Sequence, residues 1–157
     1  MDLYVFPAMS VREIQTAHDA GRWGIQASSK MRASLATRSQ GISVGARGIF
    51  YCSASKGLTV PFTFVTVPDP EATITDLWPD DRSFVFSFEP LGSPGREMGL
   101  DQARRLLDTS TRSASTNSSN IFHLAPTRMF APIEITERDW DTLLRNLGRP
   151  TNAAGDR

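Results

Sequence analysis

"RSFVFSFEPLG", Arg82 to Gly92, is the stretch whose reading decides the fold. Phe84, Phe86 and Phe88 fall on one side of an extended chain, and Ser83, Val85 and Ser87 fall on the other. Alternation with period two marks a half-buried β-strand. Its neighbours have the same character. "LTVPFTFVTV", Leu58 to Val67, is rich in β-branched and aromatic residues and predicts a strand, with Pro61 at its start, at an edge or at a bulge. "GIFYCSASKG", Gly48 to Gly57, reads as a strand and turn, and "LYVFP", Leu3 to Pro7, as a short strand ended by proline. The strands of the middle are linked too tightly for parallel crossovers.

Helical patterns flank them. In "SVREIQTAHDAG", Ser10 and Glu13 form a capping-box spacing, Val11, Ile14 and Ala17 recur at helical intervals, and Gly21 stops the run. "SSKMRASLATRS" predicts a second, serine-capped helix from about Ser29 to Ser39, and "GLDQARRLLD" a third, short one. Thr136 and Asp139 cap a last helix through Leu147 that carries Trp140. "GRWG", around Trp23, reads as a joint, "PDPEATITDLWPDD" as an acidic, proline-rich loop carrying Trp78, and "TSTRSASTNSSN", Thr109 to Asn120, as a low-complexity loop. "IFHL" and "MFAPIEIT" read as two last strand pieces. The order β-α-α-β-β-β-α-β-α predicts an α+β fold, a small curved or barrel-like mixed sheet flanked by helices. Residues 1–148 form the expected domain and 149–157 a tail or linker.

The 157 residues suffice for one core. Net charge is zero, but the distribution is uneven: Met1 to Val60 holds seven Lys/Arg against three Asp/Glu, and Pro61 to Leu100 two against seven. A basic first third fits an anionic partner or an ordinary solvated surface. The one cysteine, Cys52, stands in an apolar run, and only His18 and His123 accompany it. Neither a disulfide framework nor a zinc site has the material, and no phosphate-binding glycine loop appears. The chain shows no signal peptide and no bilayer-spanning run, so a cytoplasmic location, no membrane partner and no cofactor are expected.

Three tryptophans need an account. Trp140, beside leucines in the last helix, reads as core. Trp23 and Trp78 stand apart from any periodic pattern, so each either caps a core edge or walls a pocket for a planar ligand. The ordered series "LYVFP", helix, "GRWG", "SSKMRASL", "GIFYCSASKG", "PFTFV", "DLWP", "RSFVFSFEPL" resembles the YTH domain, a reader of methylated adenine, and its EVE relatives in the PUA-like group, over roughly residues 2–94. The last helix, "ITERDWDTLL", resembles the ending of EVE-type domains.

The resemblance implies a PUA-like fold and a base-binding cage, with Trp23 and Trp78 as two walls and Tyr51 as the third-wall candidate, Phe50 and Pro79 beside it. Two indoles can sandwich a flipped base, with stacking that contributes about 1–3 kcal/mol per base. A methyl group adds apolar area to cover. Pro7, Met9 and Glu13 stand where YTH domains carry a basic residue and asparagines. The edge-reading chemistry therefore differs or comes from Ser10, Ser28 or Ser53, with Met9 and the backbone of Gly24 beside it. Lys30, Arg32, Lys56, Arg112 and Arg128 are the candidate phosphate contacts.

The implied function is a non-enzymatic module caging methyladenine or a modified cytosine. DNA is favoured over RNA, in a modification-dependent defence or restriction system with a fused or separate nuclease or NTPase. The alternatives are a modified-RNA-binding domain, a small hydrolase, for which no serine elbow or metal-ligand spacing appears, and an interaction domain using the phenylalanine strand.

Overall fold

A computed structural model describes residues 1–111 and 117–149. Strand β1, Asp2–Ala8, leads into helix α1, Val11–Ala20. Strand β2, Arg22–Ile25, and helix α2, Arg32–Ser39, follow. Strands β3, Arg47–Cys52, β4, Gly57–Phe64, β5, Asp69–Ile74, and β6, Arg82–Pro90, make the middle, and β7, Glu97–Gly99, closes it. Helices α3, Leu100–Leu106, α4, Asp108–Thr111, and α5, Ser118–Ile121, precede β8, Ile133–Glu134, and helix α6, Glu137–Leu147.

The strands form one mixed sheet in the order β2-β6-β4-β3-β1-β8, with β5 on β6 and β7 on β4. The β3–β4–β6 run is antiparallel, as its short links require. Strand β1 pairs β3 in parallel, Leu3 to Arg47 through Ala8 to Cys52, because α1, β2 and α2 supply the long crossover. Pro61 lies at a bulge: Gly48 faces Phe62 and Phe50 faces Thr59, so Val60 and Pro61 stand opposite Ile49 alone. Its missing N–H thus costs no ladder bond.

One face of the sheet carries Tyr4, Phe6, Phe50, Phe62, Phe64, Phe86 and Phe88, closed over by α1, α2 and Phe130. Phe6 touches five of these rings, at centroid distances of 5.2 to 6.5 Å. The opposite face carries Leu3, Val5, Ile49 and Tyr51 under Trp140, Leu143 and Leu147 of α6. Trp140 is therefore core, and so are the three phenylalanines of β6, which form no exposed docking stripe.

Several elements differ from the sequence reading. "GRWG" is a strand, because Trp23 pairs Phe86 on β6. The acidic loop contains β5, which the alternation in β6 brings to its edge. The serines before α2 make no cap: the N-cap is Met31, without a side-chain bond. At α1, Ser10 Oγ accepts from Glu13 N, but Glu13 Oε1 accepts from Met9 N rather than from the cap residue. "IFHL" is not a strand: its first residue ends α5 and the chain turns through Phe122 and His123. The Thr109–Asn120 stretch holds parts of α4 and α5. Residues 112–116, with Arg112, lie outside the described residues, as does the tail beyond Arg149.

Helix α6 is anchored by Asp139, which has no exposed surface and accepts from the backbone N–H groups of Asp108, Thr109 and Thr136. Asp139→Ala leaves those donors without their carboxylate and should lower stability by about 3 kcal/mol in urea titration. Because α6 sits on the face away from Trp23, ligand binding by the folded fraction should be unchanged.

Candidate base-binding site

Four segments meet beyond the edge of the phenylalanine core: the β1–α1 joint, β2, the turn after β5, and the start of β6. They enclose a cavity of about 610 Å³. That volume suits a small planar ligand.

Trp23 enters from β2 and is 2% exposed. Its ring meets Phe50 edge to face at 4.9 Å and 69°. On its other side it meets Trp78 at 5.3 Å and 76°. Trp78 is 8% exposed and is fixed by its own Nε1–H, which donates to the carbonyl of Glu13 at 3.3 Å. A base sandwiched between parallel rings needs about 7 Å between them, twice a carbon contact. The two expected walls therefore come together as a corner, not as a facing pair. Trp23 Nε1–H is buried and has no hydrogen-bond partner among the described residues. An orphaned buried donor costs about 1–3 kcal/mol and calls for an explanation.

Arg82 completes the corner. Its Cζ lies 4.0 Å from the centroid of Trp78 and 4.8 Å from that of Trp23. Its Nη2 stands 2.7 Å from Glu13 Oε2. Nε donates to Asp80 Oδ2 at 2.7 Å and Nη2 to Asp80 Oδ1 at 3.3 Å. Two carboxylates and two indoles thus immobilise one planar cation whose residue is 8% exposed. A desolvated cation–π contact contributes on the order of 2 kcal/mol. Sequence reasoning missed Arg82, although a signal existed: it continues the inward row of Phe84, Phe86 and Phe88 by alternation. A charge at an inward position of a strand needs partners, and Glu13 and Asp80 supply them.

Of the expected edge-reading residues, Met9, Ser10, Gly24 and Ser53 line the cavity and Ser28 does not. Met9 is 78% exposed at its rim. Ser10 Oγ is committed to the helix cap, and Ser53 Oγ donates to the carbonyl of Met9 at 3.5 Å. Gly24 owes its lack of a side chain to β6, not to a ligand: a Cβ there would stand 3.0 Å from that of Arg82 and 3.2 Å from the carbonyl of Ser83. It sits where the β2–β6 register shifts. Pro79 lines the cavity and Phe50 backs Trp23 from the core side, while Ser28 is exposed outside the lining.

Tyr51 is not a cage wall. It alternates with Phe50 on β3, so its side chain joins the opposite face with Val5, Leu58 and Trp140. Arg32 is turned inward, donating to the carbonyl of Pro70 at 2.9 Å and to Ser83 Oγ at 3.4 Å, with its guanidinium over Phe84. That bridging role ties α2 to β5 and β6 and takes it away from a phosphate. Lys30, Lys56 and Arg128 are exposed, and none of them lines the cavity. The exposed cation in the lining is Arg12 on α1, which the sequence reading did not single out.

The fold is that of YTH domains. The YTH domain of the Zygosaccharomyces rouxii MRB1 protein, solved in complex with N6-methyladenosine RNA, matches with a TM-score of 0.56 at 14% identity over 95% of this chain and 85% of that one. The Toxoplasma CPSF4-YTH domain in apo form matches with a TM-score of 0.57 at 13% identity, over 94% and 88%. Protein Atu2648 from Agrobacterium tumefaciens matches with a TM-score of 0.53 at 13% identity, over 96% and 97%. No family model and no curated protein matches the sequence. Among the described residues, no helix is long and apolar enough to cross a membrane.

The Arg82 knot has a pH signature. The hydrogen bond from Arg82 holds the Asp80 carboxyl below its usual pKa. The pair's contribution is complete above the ordinary carboxylate value of about 3.9 and is lost as pH falls through the lower folded value. Asp80→Asn should therefore lose less stability than wild type on acidification below about pH 4. Urea midpoints measured across that range check it; parallel curves would contradict the assignment.

Proposed function

We propose that the chain is a reader module that takes a methylated base of RNA into the Trp23–Trp78 corner. The observation that carries this reading is the corner itself: two indoles at right angles at the inner end of a cavity, one with an orphaned buried donor. One ring offers a stacking face, and the other meets the base edge-on, where a methyl group adds apolar contact. No catalytic group is needed. The two carboxylates in the lining, Glu13 and Asp80, are both tied to Arg82, so the hydrolase alternative finds no free base among them.

RNA takes precedence over DNA because one neighbour of the same fold was solved with N6-methyladenosine RNA and another with m6A. The defence and restriction role, and a nuclease or NTPase partner, draw no support from these neighbours. Phosphate contacts fall first to Arg12, beside the cavity, and then to the exposed Lys30 and Lys56. Residues 1–148 act as the binding domain.

Fluorescence anisotropy with single-stranded RNA and DNA of one sequence, carrying adenine, N6-methyladenine, cytosine or 5-methylcytosine, tests the proposal. Wild type should bind the N6-methyladenine RNA best. Trp78→Ala, folded by circular dichroism, should lose roughly tenfold or more of that affinity. Arg12→Ala should weaken methylated and unmethylated RNA alike by a few-fold and lower the salt slope by about one. Equal binding of every probe, unchanged in Trp78→Ala, would sink the reader function.

A further inference from the structure

We infer that Arg82 is the third wall of the cage and a specificity-determining donor, reading a ring-nitrogen acceptor on the edge of a neutral methylated base. This rests on the reader function above and goes beyond it by naming the edge that is read. The guanidinium is planar and lies against both indoles, so it flanks the corner as a third flat surface. Its Nε and Nη2 are committed to Asp80 and Glu13. Its Nη1, with two N–H donors, has no hydrogen-bond partner among the described residues. Arg82 and Trp23 both line the cavity, and Trp23 adds the second unpartnered donor, its buried Nε1–H.

The ligand class follows from charge. Arg82, Glu13 and Asp80 together carry a net charge of −1, and the arginine is 8% exposed beneath the indoles. A phosphate brought here would be desolvated next to two carboxylates, so this arginine is not a phosphate anchor. A ring nitrogen carries no charge, accepts one hydrogen bond and lies in the plane of the base. It satisfies a donor without breaking the ion pairs. Adenine keeps such acceptors when its exocyclic amine is methylated. Displacing Arg82 instead would leave Glu13 and Asp80 without their partner. The guanidinium therefore stays, and the base docks against it.

The test uses a short RNA carrying one N6-methyladenosine and its 1-deaza, 3-deaza and 7-deaza analogues, each replacing one ring nitrogen by C–H. Anisotropy is measured with wild type and with Arg82→Lys, which keeps the charge between the carboxylates but loses the planar fork. One analogue should bind wild type about tenfold or more weakly than the parent, the loss expected for a hydrogen bond to a charged donor. In Arg82→Lys that penalty should shrink to within about threefold. Should Arg82→Lys fail to fold, Arg82→Gln, which retains a side-chain N–H₂, carries the same comparison. All three analogues binding wild type within about twofold of the parent, or an undiminished penalty in the folded variant, overturns the role of Arg82 and leaves the reader function standing. Equal binding of methylated and unmethylated RNA removes the reader function, and this inference with it.

Discussion

The edge-to-face contact between Trp23 and Phe50, at 4.9 Å, is the constraint on which the site depends. Phe50 is fully buried in the phenylalanine face of the sheet. Through it the core sets the position of Trp23, and Trp23 packs against Trp78, which the Glu13 carbonyl holds. Trp23 and Arg82 stand on strands, and only Trp78 comes from a turn. The cage is the rim of the core, left open where α1 and the turn after β5 do not close over the end of the sheet. A site built on strands holds its geometry better than one built on loops. The cost of leaving the rim open is met by Arg82, whose guanidinium covers indole surface while its charge is matched by Glu13 and Asp80.

Glu13 joins local structure to this site. One carboxylate oxygen accepts from Met9 N at the entrance to α1, and the other meets Arg82. Its backbone carbonyl receives Trp78 Nε1–H. One residue in the first turn of a helix thus fixes the helix start, the cation and the second indole.

Much of the fold was legible. The alternation of Phe84, Phe86 and Phe88, the β-branched run before it and the Thr136–Asp139 capping box all specify local structure by their own spacing, and β6, β4 and α6 form where they predict. What escaped depends on partners far along the chain. Strand β2 is four residues long and exists because β6 lies beside it. Strand β5 has an acidic, proline-bearing sequence that only edge pairing makes extended. The parallel β1–β3 pairing carries no local signature at all. At the site, the two tryptophans and the four cavity-lining residues were readable from their order. The perpendicular rings were not, since an interplanar angle is set by tertiary packing. The alternation of Tyr51 with Phe50 sends it to the opposite face, and the alternation of Arg82 with Phe84, Phe86 and Phe88 turns it inward, so strand parity outweighs aromatic character in the one and charge in the other.

The indole N–H resonances of the three tryptophans, followed by ¹⁵N-edited NMR during titration with N6-methyladenosine RNA, test the central claim most directly. Trp23 and Trp78 lie in the cavity lining, while Trp140 lies on α6 against the opposite face of the sheet and serves as an internal control. A base entering the corner should move the Trp23 and Trp78 signals, the Trp23 proton most as its Nε1–H gains an acceptor, and should leave Trp140 in place. Unmethylated RNA at equal concentration should shift them far less. Three unmoved signals, or a Trp140 signal that moves as much as the other two, would contradict a base-binding cage at this end of the sheet.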